Sequence, residues 1–199
     1  MNRYRAIKMI KNSRFKNYYS TADEDLKIRI CSHTQQLIDE NSEYNDRKNF
    51  GYLCNLYVGL ALIYALEERG KSRPEAIEEM KKAMYSFVQP SVKQMENLSK
   101  WRCFVPFLKW AMPIKFKMVS GYGWDLEFPK ADKNTYAMTV HKCIYATLYQ
   151  KYRIPELTAV FCGVDNLVYD NLPGAEFCST QRLGEGGMMC DYCFKRRGK

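Results

Sequence analysis

The segment Thr135-Tyr136-Ala137-Met138-Thr139-Val140-His141 decides the fold class. Tyr136, Met138 and Val140 alternate with Thr135, Ala137, Thr139 and His141, the two-residue period of a strand with one buried face. Just upstream, Trp124 to Phe128 reads as another strand, entered through Gly121-Tyr122-Gly123. Downstream, Cys143 to Tyr152 returns to helical spacing, and Pro155 opens a helix that runs to about Asn171. Ala175 to Leu183 and Met188 to Lys195, joined by Gly184-Glu185-Gly186-Gly187, read as a hairpin.

Everything before this region has helical character. Thr21-Ala22-Asp23-Glu24 has the form of a capping box, with Leu26, Ile30, Leu37 and Ile38 on one stripe of a helix reaching Glu40. A basic helix is expected before it, ending near Tyr18-Tyr19. Asn49 to Leu66 is eighteen residues without a charge, the lower edge of what spans a bilayer. Asn49, Gly51, Asn55 and Gly59 weigh against insertion, and Glu67-Glu68-Arg69 carries the helix on into water, which favours a buried core helix. Gly70 stops it, and Ser72-Arg73-Pro74-Glu75 starts the next, expected to run to about Val88 before Pro90 opens a further one. Helices first and a small sheet last predict an α+β fold, with N-terminal helices packed on a C-terminal antiparallel sheet and intervening helices. The helical part spans 1–120 and the α+β part 121–199, as one integrated domain.

Trp101 to Met118 stands apart, with Trp101, Phe104, Phe107, Trp110, Phe116 and Met118 interleaved with Arg102, Lys109, Lys115 and Lys117. Basic residues among large aromatics suit a membrane-surface or partner-docking segment. Pro106 and Pro113 argue against one regular helix, and an irregular linker folded back as a lid is the competing reading.

Composition is that of a globular chain: 199 residues, 46% hydrophobic and 27% charged. The formal charge of +9 is concentrated at the ends, in Arg3, Arg5, Lys8, Lys11, Arg14 and Lys16 and in Lys195-Arg196-Arg197-Gly198-Lys199. Such runs are most often solvated arms, so no nucleic-acid partner is expected. The chain has eight Cys and no secretory pattern at its start, which points to reduced thiols and a cytoplasmic setting. A phosphate-cradling Gly loop, a nucleophile elbow and a dinucleotide fingerprint are all missing, which excludes ordinary nucleotide enzymology.

Candidate chemistry gathers in the last third. Cys162, Asp165 and Tyr169 fall three and four apart, on one face beside the apolar stripe Leu157, Val160, Phe161, Val164 and Val168. A half-buried carboxylate there is expected to shift upward in pKa, as suits a general base. The bland alternative is a small buried Cys and a solvent-side Asp. His141, at a strand-to-helix junction with Cys143 close behind, is the one imidazole near this region, although a lone His is more often structural. Cys190-Asp191-Tyr192-Cys193 invites a zinc reading, but residues three apart on a strand point to opposite faces. A metal, if one is held, would draw on Cys143, Cys162, Asp165 and Cys190; the spacing supports none, and no cofactor is expected.

These pieces, in this order, resemble the L-2-amino-thiazoline-4-carboxylic acid hydrolase family. The resemblance lies in Thr139-Val140-His141-Lys142-Cys143, in Pro155-Glu156-Leu157 leading to Phe161-Cys162-Gly163-Val164-Asp165, in Phe177-Cys178-Ser179-Thr180-Gln181-Arg182-Leu183, and in Cys190-Asp191-Tyr192-Cys193-Phe194. Leu60 to Leu66, Gly70, Glu75-Ala76 and Gly123-Trp124 extend it upstream. It implies hydrolytic ring opening of a small carboxylate at a non-peptide C–N or C–S bond. Asp165 or His141 would activate water or a thiol, Cys162 or Cys143 could be a nucleophile, and Arg182, with Gln181, Tyr169 and Trp124, would contact the substrate. The family pattern places an Arg where Ser179 stands and a Thr where Arg182 stands. On a strand Arg182 would face away from Ser179, and the missing Arg at 179 keeps open a non-catalytic ligand-binding protein, while Trp101 to Met118 and the two basic ends keep open a basic membrane-surface or nucleic-acid-associated protein.

Overall fold

The computed structural model describes residues 4–197 and divides into two compact units, Met1–Phe87 and Val88–Lys199. The first holds α1 (Tyr4–Asn12), α2 (Lys16–Thr21), α3 (Glu24–Glu40), α4 (Phe50–Glu68) and the first half of α5 (Arg73–Ser99). Within it α4 is the core element, with Leu53, Leu56, Tyr57, Leu60 and Ile63 buried and α1 and α3 packed against it. Among the described residues it is also the one helix long and apolar enough to cross a membrane, yet 67% of its apolar window is buried inside the protein.

Two helix boundaries obey local chemistry in a way the sequence pattern misplaces. Asp23, not Thr21, caps α3, its carboxylate accepting from Leu26 N–H at 3.0 Å. Thr21 Oγ1 instead donates back to Tyr18 C=O at 3.0 Å and so closes α2. Asp is as good a cap as Ser, and its charge also suits the helix N-terminus. At the next boundary the expected box forms: Glu75 accepts from Ser72 N–H at 2.9 Å and from Ser72 Oγ at 2.6 Å. Gly70, at φ +87°, makes the preceding stop.

Neither Pro90 nor Pro113 breaks its helix: α5 runs through Pro90 to Ser99, and α6 (Phe104–Val119) runs through Pro113. Val88 and Gln89 offer no capping side chain with which to start a new helix. Pro106 lies in the first turn of α6, where its missing N–H has no partner to lose. Packing retains the rest of that helix, since Phe104, Val105 and Leu108 are buried against the sheet.

The second unit contains a four-stranded antiparallel sheet in the order β1-β2-β4-β3, formed by β1 (Asp125–Glu127), β2 (Thr135–Lys142), β3 (Ala175–Cys178) and β4 (Cys190–Arg196). Tyr136, Met138 and Val140 of β2 are buried and stand opposite Phe194, Tyr192 and Cys190 of β4. That face of the sheet and α6 close one core. Each large apolar side chain buried there contributes roughly 1.5–3 kcal/mol. Between β2 and β3 run α7 (Ile144–Lys151) and α8 (Glu156–Tyr169), whose buried stripe is Leu157, Phe161, Val164 and Val168. The fold is α+β.

Candidate functional site

The β3–β4 connection is longer than a glycine turn allows. The strands stop at Cys178 and restart at Cys190, and the residues between them leave the sheet. Asp191 causes this. Its carboxylate accepts from Thr180 N–H at 2.7 Å, Gln181 N–H at 2.9 Å and Ser179 Oγ at 3.2 Å, and also from Thr180 Oγ1. These bonds hold its pKa below the usual carboxylate range against the opposing effect of burial. A side-chain acceptor has replaced the strand ladder as partner of those N–H groups. Gly187 and Gly184 let the loop close: a Cβ at Gly187 would stand 2.9 Å from Arg182 backbone N and O, and one at Gly184 would stand 2.9 Å from Thr158 Cγ2 on α8.

Arg182 is thereby placed in a loop and not on a strand, and its side chain turns inward, only 9% exposed. It does not face away from Ser179; its Nε donates to Ser179 Oγ at 3.4 Å. Its Nη1 reaches Cys162 C=O on α8 at 3.5 Å, and Glu185, the nearest carboxylate paired with it, is 3.9 Å away and largely exposed. Its guanidinium carbon lies 5.8 Å from the ring centres of both Phe177 and Tyr192. A buried cation therefore has aromatic walls but only long polar contacts.

Beside it, α8 presents Cys162 and Asp165 toward Cys190 and Tyr192 of β4. Tyr192 Oη donates to Asp165 Oδ2 at 3.3 Å. The strand period puts Cys190 and Tyr192, two apart, on the same face, the one that carries the core. Cys190 Sγ accepts from Leu183 N–H at 3.3 Å, which ties the loop to the strand. Burial, and then the Asp165 charge, push the Cys162 thiol up to about 12. Burial pushes Cys143, at the start of α7, up to about 11, and Cys190 upward as well. Burial first and Asp165 second also raise Tyr192. All four groups are thus held neutral near pH 7.

The other expected residues sit elsewhere. His141 is on the opposite face of the sheet from Cys190, exposed, with Nε2 3.1 Å from Glu127 Oε2. Tyr169 packs on Phe177 and Phe194, with ring centres 5.4 and 5.1 Å apart. Gln181 Oε1 accepts from Met188 N–H at 3.1 Å and so braces the loop. Trp124 meets Tyr145 edge-on at 6.3 Å, and Tyr145 stacks on Phe161 at 4.9 Å, extending the aromatic wall along α7 and α8. Among the described residues no group of three His, Cys, Asp or Glu side chains is arranged to hold a metal ion. The set Cys143, Cys162, Asp165 and Cys190 is therefore not a coordination sphere, and Cys193 stands opposite Cys178 on the far face from Cys190. Tyr192, Asp191 and Phe177 were not singled out from the sequence. The two-residue spacing of Cys190 and Tyr192 was the available signal for the first, while the others depend on where the loop leaves the sheet.

A cleft of about 440 Å³ in the first unit, lined by Tyr18, Asp23, Arg69, Lys71 and Glu79 among others, has its charges already matched. Arg69 pairs with Asp23 at 2.7 Å and Lys71 pairs with Glu79.

Residues 53–194 match the family model of L-2-amino-thiazoline-4-carboxylic acid hydrolase. The chain therefore belongs to the L-2-amino-thiazoline-4-carboxylic acid hydrolase family. No curated protein matches it. Among solved structures, the crystal structure of an Fe(II) unliganded mutant H-NOX protein from K. algicida aligns with 85% of this chain and 96% of its own, at 10% identity and a TM-score of 0.30. A likeness at that level carries no argument about fold or activity.

Proposed function

We propose that this protein is a hydrolase that opens a small cyclic carboxylate at a non-peptide C–N or C–S bond, of the thiazoline or cyclic-amidine type. The observation that carries the reading is Arg182, a buried guanidinium flanked by two aromatic rings whose ion-pair partner, the exposed Glu185, stands 3.9 Å away. A cation out of water is stable only when an anion or several good acceptors meet it. A substrate carboxylate is the natural complement of its planar fork.

Asp165 is the general base. Water adds to the amidine-type ring carbon while one of its protons passes to Asp165. The tetrahedral adduct then collapses, breaking the ring C–N or C–S bond, and the departing N or S takes a proton. Tyr192 orients Asp165 through its hydroxyl, and the proton that Asp165 took up is the one returned to the departing atom. The Cys162 and Cys143 thiols, raised by burial, are better suited to shaping the cavity than to attack as thiolates. Membership of a hydrolase family supports this reading, as does Tyr192, whose ring faces Arg182 and whose hydroxyl meets Asp165.

The test is incubation of the purified protein with a panel of cyclic thioether and amidine carboxylates, read by mass spectrometry for the addition of one water. Consumption that falls at least about 100-fold in Asp165→Asn is the expected result. Thermal stabilisation by these compounds with no water added would instead identify a binding protein and refute the hydrolase.

A further inference from the structure

Helix α6 has two apolar faces, and only one is used by the core. Phe104, Val105 and Leu108 are buried. On the other side Phe107, Trp110, Ile114 and Met118 are 45%, 67%, 49% and 68% exposed. At about 100° per residue these four fall within roughly 80° of arc, one continuous stripe along the helix. Trp101, 56% exposed just ahead of the helix, extends it. Its ring lies 6.1 Å from Phe107, and that of Phe107 lies 6.2 Å from Trp110.

Charge frames this stripe. Lys115 and Lys117 leave the helix at about 100° and about 60° to either side of its centre. From Asn97 to Trp124 there is no Asp or Glu, while Lys100, Arg102, Lys109, Lys115 and Lys117 supply five cations. Lys109 is engaged by the carbonyls of Ala131 and Asp132, and Lys100 by Asn97 Oδ1, which leaves Arg102 just ahead of the helix and Lys115 and Lys117 exposed on it. Clustered exposed aromatics mark an interaction surface on a water-soluble unit. Trp with flanking Lys is the composition that settles at a lipid–water boundary. A second copy of this chain would set the same cations against one another.

We infer that the outer face of α6 docks on the surface of an anionic bilayer, with the helix axis in the plane of the membrane. Trp101, Phe107, Trp110, Ile114 and Met118 enter the boundary between headgroups and acyl chains, and Lys115 and Lys117 meet headgroup phosphates. The unit is held at the membrane without spanning it.

The experiment is co-sedimentation of the full chain with vesicles of phosphatidylcholine alone or mixed with phosphatidylglycerol, with Trp emission followed in parallel. Binding to the anionic vesicles, weakened by added salt and accompanied by a blue shift, is expected. Trp110→Ser with Met118→Ser, both exposed and so compatible with folding, should lower the partition coefficient at least about tenfold. Lys115→Gln and Lys117→Gln should each lower it about fivefold. Circular dichroism of the variants controls for folding. Absence of binding, or binding unchanged in both sets of variants, overturns the inference. So does a concentration-dependent dimer that Trp110→Ser dissolves, because a second copy would then cover the stripe.

Discussion

Arg182→Met separates the role proposed for this guanidinium from a structural one, because the two predict opposite signs. Methionine keeps most of the volume and can rest on the Phe177 and Tyr192 rings as a thioether. The polar contacts removed are long, at 3.4 and 3.5 Å to neutral oxygens and 3.9 Å to exposed Glu185. None comes near the 2.7–2.9 Å of a strong charge-assisted bond. What is gained is relief from burying a poorly matched cation, whose desolvation costs on the order of several kcal/mol, while the Glu185 left behind is largely exposed and carries little such penalty. Loss of the cation–π contacts, worth about 2 kcal/mol or less, offsets part of this. The net expectation for the ligand-free protein is unchanged or raised stability, within about 2 kcal/mol. Binding of a carboxylate moves the other way. Two charged hydrogen bonds of about 1.5–3 kcal/mol each vanish, which at 1.4 kcal/mol per tenfold weakens binding by at least about 100-fold. Urea unfolding of the apo protein and titration with a cyclic thioether carboxylate measure the two halves. A variant several kcal/mol less stable that still binds carboxylate as wild type would show Arg182 to be a cross-brace between loop and α8, and the argument would fail.

Four further outcomes follow from the same geometry. Cys162→Ala should retain turnover within about tenfold, since a thiol held near 12 is not the attacking group; a loss comparable to that of Asp165→Asn would restore the thiol to a nucleophilic role. Gly187→Ala should raise KM for a carboxylate substrate about tenfold or more through displacement of Arg182, and lower the unfolding midpoint as well, because the new Cβ meets that backbone at 2.9 Å. Gly174→Ala should destabilise by several kcal/mol in denaturant titrations, because its Cβ would lie 1.7 Å from Ser99 C=O, a backbone atom that cannot step aside. The buried thiols Cys54, Cys143 and Cys162, at about 12, 11 and 12 against an ordinary 9.0, favour the folded state only while protonated. Their contribution is complete below about pH 9 and is lost as pH climbs toward 11–12, because the unfolded chain ionises first; unfolding free energy that stayed flat between pH 8.5 and pH 11 would contradict the burial of these groups.

What the sequence disclosed divides along physical lines. Periods of two and 3.6 are imposed by burial, so β2, the core role of α4 and most of the α8 stripe were legible, although Val160 is only half-buried and Thr158 is buried in its stead. The split of Cys190 from Cys193 followed from the strand period alone. Prolines were read too strictly: local sterics count the lost N–H at Pro90 and Pro113, yet α5 and α6 run on through them, α6 with Phe104, Val105 and Leu108 buried. The hairpin was read from its glycines, which mark where the chain can turn but not where it must. The departure at Ser179 is set by Asp191, a partner ten or more residues away whose bonds to the loop no local pattern contains. His141 and Asp165 looked comparable as candidate bases because both lie near the Cys-rich segments. Only the sheet shows that one faces Glu127 and solvent and the other faces Tyr192.

The same loop bears on the residue exchange at positions 179 and 182. Were β3 to continue straight, residues three apart would point to opposite sides, and moving an Arg from the first position to the second would remove it from the site. Asp191 bends the chain so that Ser179 Oγ and Arg182 Nε are 3.4 Å apart. A guanidinium at either position can therefore enter the same space beside Cys162 and the Phe177 and Tyr192 rings. On that geometry the exchange relocates the cation's backbone anchor while preserving the charge the site offers. Ser179→Arg combined with Arg182→Thr should then recover carboxylate binding that Arg182→Thr alone loses by at least about 100-fold. Failure of the double variant to recover it, in a protein that melts as wild type, would mean that Arg182 reads a feature of this chain's own ligand that an Arg at 179 does not reach.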